Sequence, residues 1–175
     1  MKYVIRNHAV RICIAASLLA GVVPNANADV ITDWNIKAGE IVTESKLGTP
    51  PAIRAMAIVQ TSVYEAVNAT APGASVDAAV AAANRATLTK LMPSQQALID
   101  AAYQAALVQV ADGPAKTAGI AVGEQAAAAV LARRADDGAL PVESHRPHTT
   151  AGTYVPTAAP AVTLWSQRKP WLMAS

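Results

Sequence analysis

The sequence predicts an all-α protein: a bundle of about five helices, preceded by a cleaved signal peptide and followed by a proline-rich extended tail. Three observations carry this prediction. Apolar residues recur every three to four positions between strong breakers, no segment alternates with period two, and alanine supplies 41 of 175 residues while phenylalanine is absent. Alanine favours helix but buries little area per residue, so helices this rich in it must approach closely to gain dispersion energy.

The first 28 residues have the layout of an export signal. Lys2, Arg6 and Arg11 precede an apolar run from Ile12 to Val23, and Ala26-Asn27-Ala28 forms an Ala-x-Ala cleavage site. The run is short of the roughly 20 residues of a membrane span. The expected mature protein is periplasmic or secreted and begins at Asp29. Three of the chain's 14 basic residues leave with the signal, so 11 remain against 12 acidic ones. This near-neutral balance gives no reason to expect a nucleic-acid partner, nor a membrane partner after cleavage. Cys13, the single cysteine, lies in the signal as well, which excludes a disulfide framework or a cysteine nucleophile from residues 29–175. Those 147 residues suffice for one domain with a substantial core.

Five helices follow in order. The first is expected from about Thr32 to Lys46, with Trp34, Ala38, Ile41 and Val42 as its apolar stripe and Gly48 as its stop. Thr49 reads as the N-cap of the second, with Pro50 and Pro51 where a missing N–H is least costly. Ile53, Met56, Gln60, Val63 and Val67, with Ala57 and Tyr64 beside them, mark its expected buried face, on which Gln60 needs a partner or an edge. Ala71-Pro72-Gly73 breaks the chain, and Ser75 can cap an alanine-rich third helix to about Leu91. Pro93-Ser94 opens a fourth, to about Ala111, with Ile99, Ala102, Tyr103, Ala106 and Val110 on one side. Asp112-Gly113-Pro114 turns into a fifth, which ends at Asp136-Asp137-Gly138. The domain reading is therefore 1–28 signal, 29–138 helical domain and 139–175 tail. Pro141, Pro147, Pro156, Pro160 and Pro170 keep the tail out of long helices, while Trp165 and Trp171 are expected to dock against the bundle.

Few residues suggest chemistry. Gly119-Ile-Ala-Val-Gly123 is a small-xxx-small pattern, expected here to let one helix lie close on another. Asp29 with Asp33, Glu40 with Glu44, and Asp136 with Asp137 read as separate acidic pairs at helix ends or on polar faces, not as a metal site. Asn68-Ala-Thr70 matches a glycosylation sequon at a helix end, but the signal has a bacterial character. Neither a Gly-x-Ser-x-Gly turn nor a Gly-rich phosphate loop occurs. Ser-His-Arg-Pro-His, residues 144–148, is the remaining cluster: His145 and His148 could approach a metal, and Arg146 an oxyanion. With no third ligand nearby, it reads as a loop leaving the fifth helix.

Four ordered blocks, "DVITDWNIKAGEIV", "TPPAIRAMAIVQTSVYEAVNA", "DGPAKTAGIAVGEQAAAAVLARRADDG" and "TYVPTAAPAVTLWSQRKPWLM", resemble the N-terminal half of vanadium-dependent haloperoxidase-like proteins of the PAP2 (type 2 phosphatidic acid phosphatase) superfamily. The resemblance implies an α-helical exported enzyme that hydrolyses phosphoesters through a phosphohistidine or oxidises halide on histidine-held vanadate. It also implies a site built from Lys-x6-Arg-Pro, Ser-Gly-His and Ser-Arg-x5-His. Arg146-Pro147 matches the dipeptide of the first motif, but Ala139 stands where its lysine belongs, and Ser-Gly-His and Ser-Arg do not occur.

The expectation is thus the N-terminal helical portion of such an enzyme, inactive alone, with the missing C-terminal catalytic half as its possible partner. No catalytic, cofactor-binding or metal-binding residue is assigned in this chain; vanadate belongs to the complete family enzyme. The alternatives are a non-enzymatic exported helical binding or interaction module, and an oxyanion site at His145, Arg146 and His148 themselves.

Overall fold

The computed structural model describes residues 29–139, 146–158, 162–171 and 173. Five α-helices form the bundle: α1 (Val30–Glu44), α2 (Thr49–Ala69), α3 (Val76–Leu91), α4 (Gln96–Val108) and α5 (Pro114–Arg134). Among the described residues there are no strands, and the all-α reading holds. The signal-peptide reading lies outside the described residues.

Local chemistry sets the helix ends. Asp29 caps α1 by accepting from Thr32 N at 2.8 Å, so the helix starts two residues earlier than its apolar stripe suggests. It ends at Glu44, before Gly48, because the chain leaves through Lys46 in the left-handed region. At α2 the expected N-cap is displaced by one residue. Gly48 takes the extended cap conformation without a side-chain bond, and Thr49 is already helical. Ser75 caps α3 as expected, accepting from Ala78 N at 3.2 Å. Pro93 opens a single 3-10 turn, Pro93–Gln95, ahead of α4. Lys116 closes the other end of α4, its Nζ donating to Leu107 O and Val110 O and pairing with Asp112.

α3 is the centre of the bundle, and all four other helices pack on it. Every residue from Ala78 to Ala83 is buried, as are Asn84, Thr87 and Leu88. A helix buried on every side carries no amphipathic stripe, and small side chains let its neighbours come close. The closest neighbour is α5. A Cβ placed on Gly119 would sit 2.2 Å from Ser75 O, and one on Gly123 would sit 2.2 Å from Ala79 O and 2.9 Å from Ala82 Cβ. The Gly119–Gly123 pattern therefore acts as expected: each glycine costs about 1 kcal/mol in helix propensity, offset by backbone-to-backbone contact. Ser75 N also donates to Ala115 O at 2.9 Å, tying the start of α3 to the start of α5.

The α1 stripe of Trp34, Ala38, Ile41 and Val42 is buried as predicted, as are Ile99 and Tyr103 on α4. The α2 prediction is rotated. Its buried residues are Ala55, Ile58, Val59, Ser62, Val63 and Ala66, whereas Ile53 and Tyr64 are 63% and 70% exposed. Val63 is buried as predicted and Met56 and Val67 pack against the core, but the buried face is centred to one side of the predicted stripe, on Ile58, Val59, Ser62 and Ala66. Gln60 finds its partner at an edge, donating from Nε2 to Asn35 Oδ1 at 2.7 Å.

The tail is not extended throughout. Thr163–Gln167 forms a 3-10 turn, and Lys169 N donates to Asp137 O at 3.1 Å, fastening the segment beneath the end of α5.

Candidate functional site

The most unusual polar arrangement lies where α5 ends, α2 begins and the tail returns. Asp137 follows α5 by three residues and is 1% exposed, although the sequence placed it in a surface acidic pair. Its neighbour Asp136 is exposed, as expected. Burial of a lone carboxylate costs several kcal/mol, so its partners decide whether the position is tenable.

Three arginines surround it. Arg54, from the first turns of α2, donates from Nε to Asp137 Oδ2 at 2.7 Å and from Nη2 to Arg134 O at 3.1 Å. Arg134, in the last turn of α5, reaches the same Oδ2 from Nε at 3.2 Å and Nη2 at 3.1 Å. Ala139 N satisfies Oδ1 at 3.0 Å. Arg168, from the tail, holds Nη1 3.9 Å from Oδ1, within ion-pair range but beyond a hydrogen bond. Gly138, with φ +79°, makes the turn, and a Cβ there would sit 3.2 Å from Gln167 O.

The electrostatics follow from this geometry. Burial pushes the Asp137 carboxyl up, but the Arg54 hydrogen bond and the charges of Arg54 and Arg134 outweigh it, leaving the group below the usual aspartate value. Both carboxylate oxygens accept hydrogen bonds, and among the described residues the cluster has more cations than carboxylates. Arg168 Nε and Nη1 are buried with no hydrogen-bond acceptor among the described residues.

The two tail tryptophans dock through these arginines. Arg134 stacks 4.2 Å from the ring centroid of Trp171, and Arg168 stacks 4.5 Å from that of Trp165. Arg134 also donates from Nη1 to Pro170 O at 3.2 Å and from Nη2 to Lys169 O at 2.9 Å. The predicted docking is present, but cation–π and carbonyl contacts supply it in place of an apolar pocket. Between the side chains lies a cleft of about 200 Å³, bordered by Ile53 and Ala57 of α2 on its apolar side.

The residues singled out from the sequence do not converge here. His145 lies outside the described residues, and His148 and Arg146 are exposed in the loop that follows. Asp29 serves as a helix cap, and Glu40 pairs with Lys37 on the surface of α1. Asn68 donates to Tyr64 O at 2.7 Å at the end of α2. Among the described residues no group of three or more His, Cys, Asp or Glu side chains is arranged to hold a metal. The sequence reading missed the partnership of Arg54, Arg134 and Arg168 with Asp137. Its only local signal was the charge reversal Arg133-Arg134 to Asp136-Asp137 at the helix end.

A second concavity, about 620 Å³, opens between α1 and α4, with Trp34, Ala102, Ala106 and Val110 on its walls and Asp33 and Lys37 at its rim. No family model, curated protein or solved structure matches the chain.

Proposed function

We propose that this chain is the N-terminal helical scaffold of an exported enzyme resembling the PAP2 and vanadium-dependent haloperoxidase proteins, without phosphatase or haloperoxidase activity of its own. The observation that carries the proposal is the clamp around Asp137. It fixes residues 165–171 against the ends of α2 and α5, so that the last of the four resembling blocks is held in a defined place by the second and third. A scaffold needs that property: the chain beyond the bundle must start from a fixed position if it is to complete a site on it. The family's catalytic motifs do not occur in the sequence, so the reading assigns this chain the framework and assigns the oxyanion chemistry to a catalytic half.

The test has two arms. The purified chain should show no turnover of an aryl phosphate and no vanadate-dependent halide oxidation, whereas the DNA downstream of codon 175, translated in all frames, should encode Lys-x6-Arg-Pro and Ser-Gly-His. Turnover by the chain alone, or absence of both motifs from the neighbourhood, overturns the proposal. The α1–α4 groove favours the second reading, a non-enzymatic helical binding module. That reading predicts a monodisperse chain with a single cooperative melt and no need of a second half.

A further inference from the structure

We propose that the cleft beside Asp137 binds a small carboxylate with an apolar body, of which a single aromatic ring is the best-fitting example. The inference does not rest on the scaffold reading. Its first ground is charge. Three guanidiniums and Lys169 border the cleft, whereas Asp137 is its one carboxylate among the described residues, and both its oxygens already accept hydrogen bonds. Asp136 is exposed and does not line it. The surplus is held under partial desolvation: the side chains of Arg54, Arg134 and Arg168 are 20%, 13% and 17% exposed. A cation so placed attracts an incoming anion more strongly than one in bulk water.

The second ground is the unmet demand for acceptors. Arg168 keeps two buried donors, Nε and Nη1 of one guanidinium, without a hydrogen-bond acceptor among the described residues, an arrangement that costs free energy. Its Nη1 lies 3.9 Å from Asp137 Oδ1, close enough for charge attraction but too far for a hydrogen bond. A second carboxylate in the cleft balances the surplus charge, and Arg168 turns to bring a donor to it, since both atoms are buried in the free protein; guanidinium is the side chain best matched to a planar carboxylate.

Shape supplies the third ground. Ile53, Ala57, Trp165 and Trp171 give the cleft apolar and aromatic walls opposite its cations. A volume of about 200 Å³ accommodates one ring, since an engineered cavity of about 150 Å³ takes benzene. Inorganic anions would meet the charge but leave these walls unused.

Calorimetric titration of the full chain with benzoate, acetate and benzyl alcohol at fixed ionic strength tests the proposal. Benzoate should bind, acetate should bind at least tenfold more weakly, and benzyl alcohol should not bind. Arg168→Gln should weaken benzoate by about ten- to a hundredfold, the loss of one charge-assisted contact. Because that change can also loosen the tail, Ile53→Glu provides a second variant. Ile53 is largely solvent-exposed, so the substitution leaves the core intact and puts a competing carboxylate on the cleft wall. It should weaken benzoate at least tenfold without lowering the thermal melt of the free protein. No benzoate binding by the parent, equal binding of benzyl alcohol, or undiminished binding by Ile53→Glu overturns the proposal.

Discussion

Along its length, α5 meets α3 through Gly119 and Gly123, and among the described residues no side-chain hydrogen bond joins the two helices. At its end, the same helix meets α2 and the tail through Arg134, where three arginines from three parts of the chain share one buried carboxylate. The first contact is specified by the absence of atoms and the second by charge. A seam of small residues tolerates nothing larger and needs no charged partner. A buried ionic clamp adds direction and costs desolvation, and it fails badly when one member is lost. The bundle thus uses size to bring helices together and charge to decide where an irregular segment lands.

Four measurements sharpen that contrast. Asp137→Ala should have the largest effect, about 3–5 kcal/mol of lost stability, because three partly buried guanidiniums would lose their common partner. Chemical denaturation should register it, and the emission of Trp165 and Trp171 should shift as the tail leaves. A loss under 1 kcal/mol would mean that the clamp is incidental. Gly123→Ala should cost about 1–3 kcal/mol by overpacking, although alanine is the better helix former. The new Cβ meets a backbone oxygen and nitrogen of α3 that cannot rotate aside.

Acid gives a milder version of the first experiment, since protonation neutralises Asp137 without removing it. Its folded-state pKa lies below the ordinary value of 3.8. The clamp's contribution is therefore complete above the unfolded pKa and disappears as pH falls through the lower folded one. Melting temperatures between pH 6 and pH 2 should decline over that acidic range more in the parent than in Asp137→Ala. The smallest change is Gly39→Ala on α1, where a Cβ meets nothing within 4 Å. It should stabilise by about 0.5–1 kcal/mol, in contrast with Gly123→Ala, since only one of these glycines is required for close approach.

The same division explains what the sequence made legible. Helix number and order followed from breakers and caps, which are local: Ser75, Pro93 and Gly113-Pro114 each act within a few residues of themselves. The α1 face was readable because large and small apolar residues lie on the same side of that helix. On α2 apolar residues occur on more than one side, and the predicted stripe took in Ile53 and Tyr64 although the face that is buried holds Ala55, Ile58, Val59, Ser62, Val63 and Ala66. The clamp was not legible, because Arg54 and Asp137 are 83 positions apart and nothing near either one identifies the other. Of the two adjacent aspartates, only the fold determines which is buried.

The enclosure of α3 between Ala78 and Asn84 has a further consequence for tolerance to length change. One residue inserted within an α-helix turns everything beyond it by about 100°. On a surface helix such a turn exchanges a dry face for a wet one, and a loop can absorb part of the change. α3 has no wet face to trade: from Ala78 to Ala83 every direction is occupied, and Ala79, Ala82 and Ala83 must face Gly123. An insertion there would bring other side chains, Asn84 or Leu88 among them, toward a gap sized for hydrogen. Substitutions by residues as small as alanine can be accommodated along this segment, whereas changes in its length cannot, and viable insertions and deletions should collect in the connections on either side.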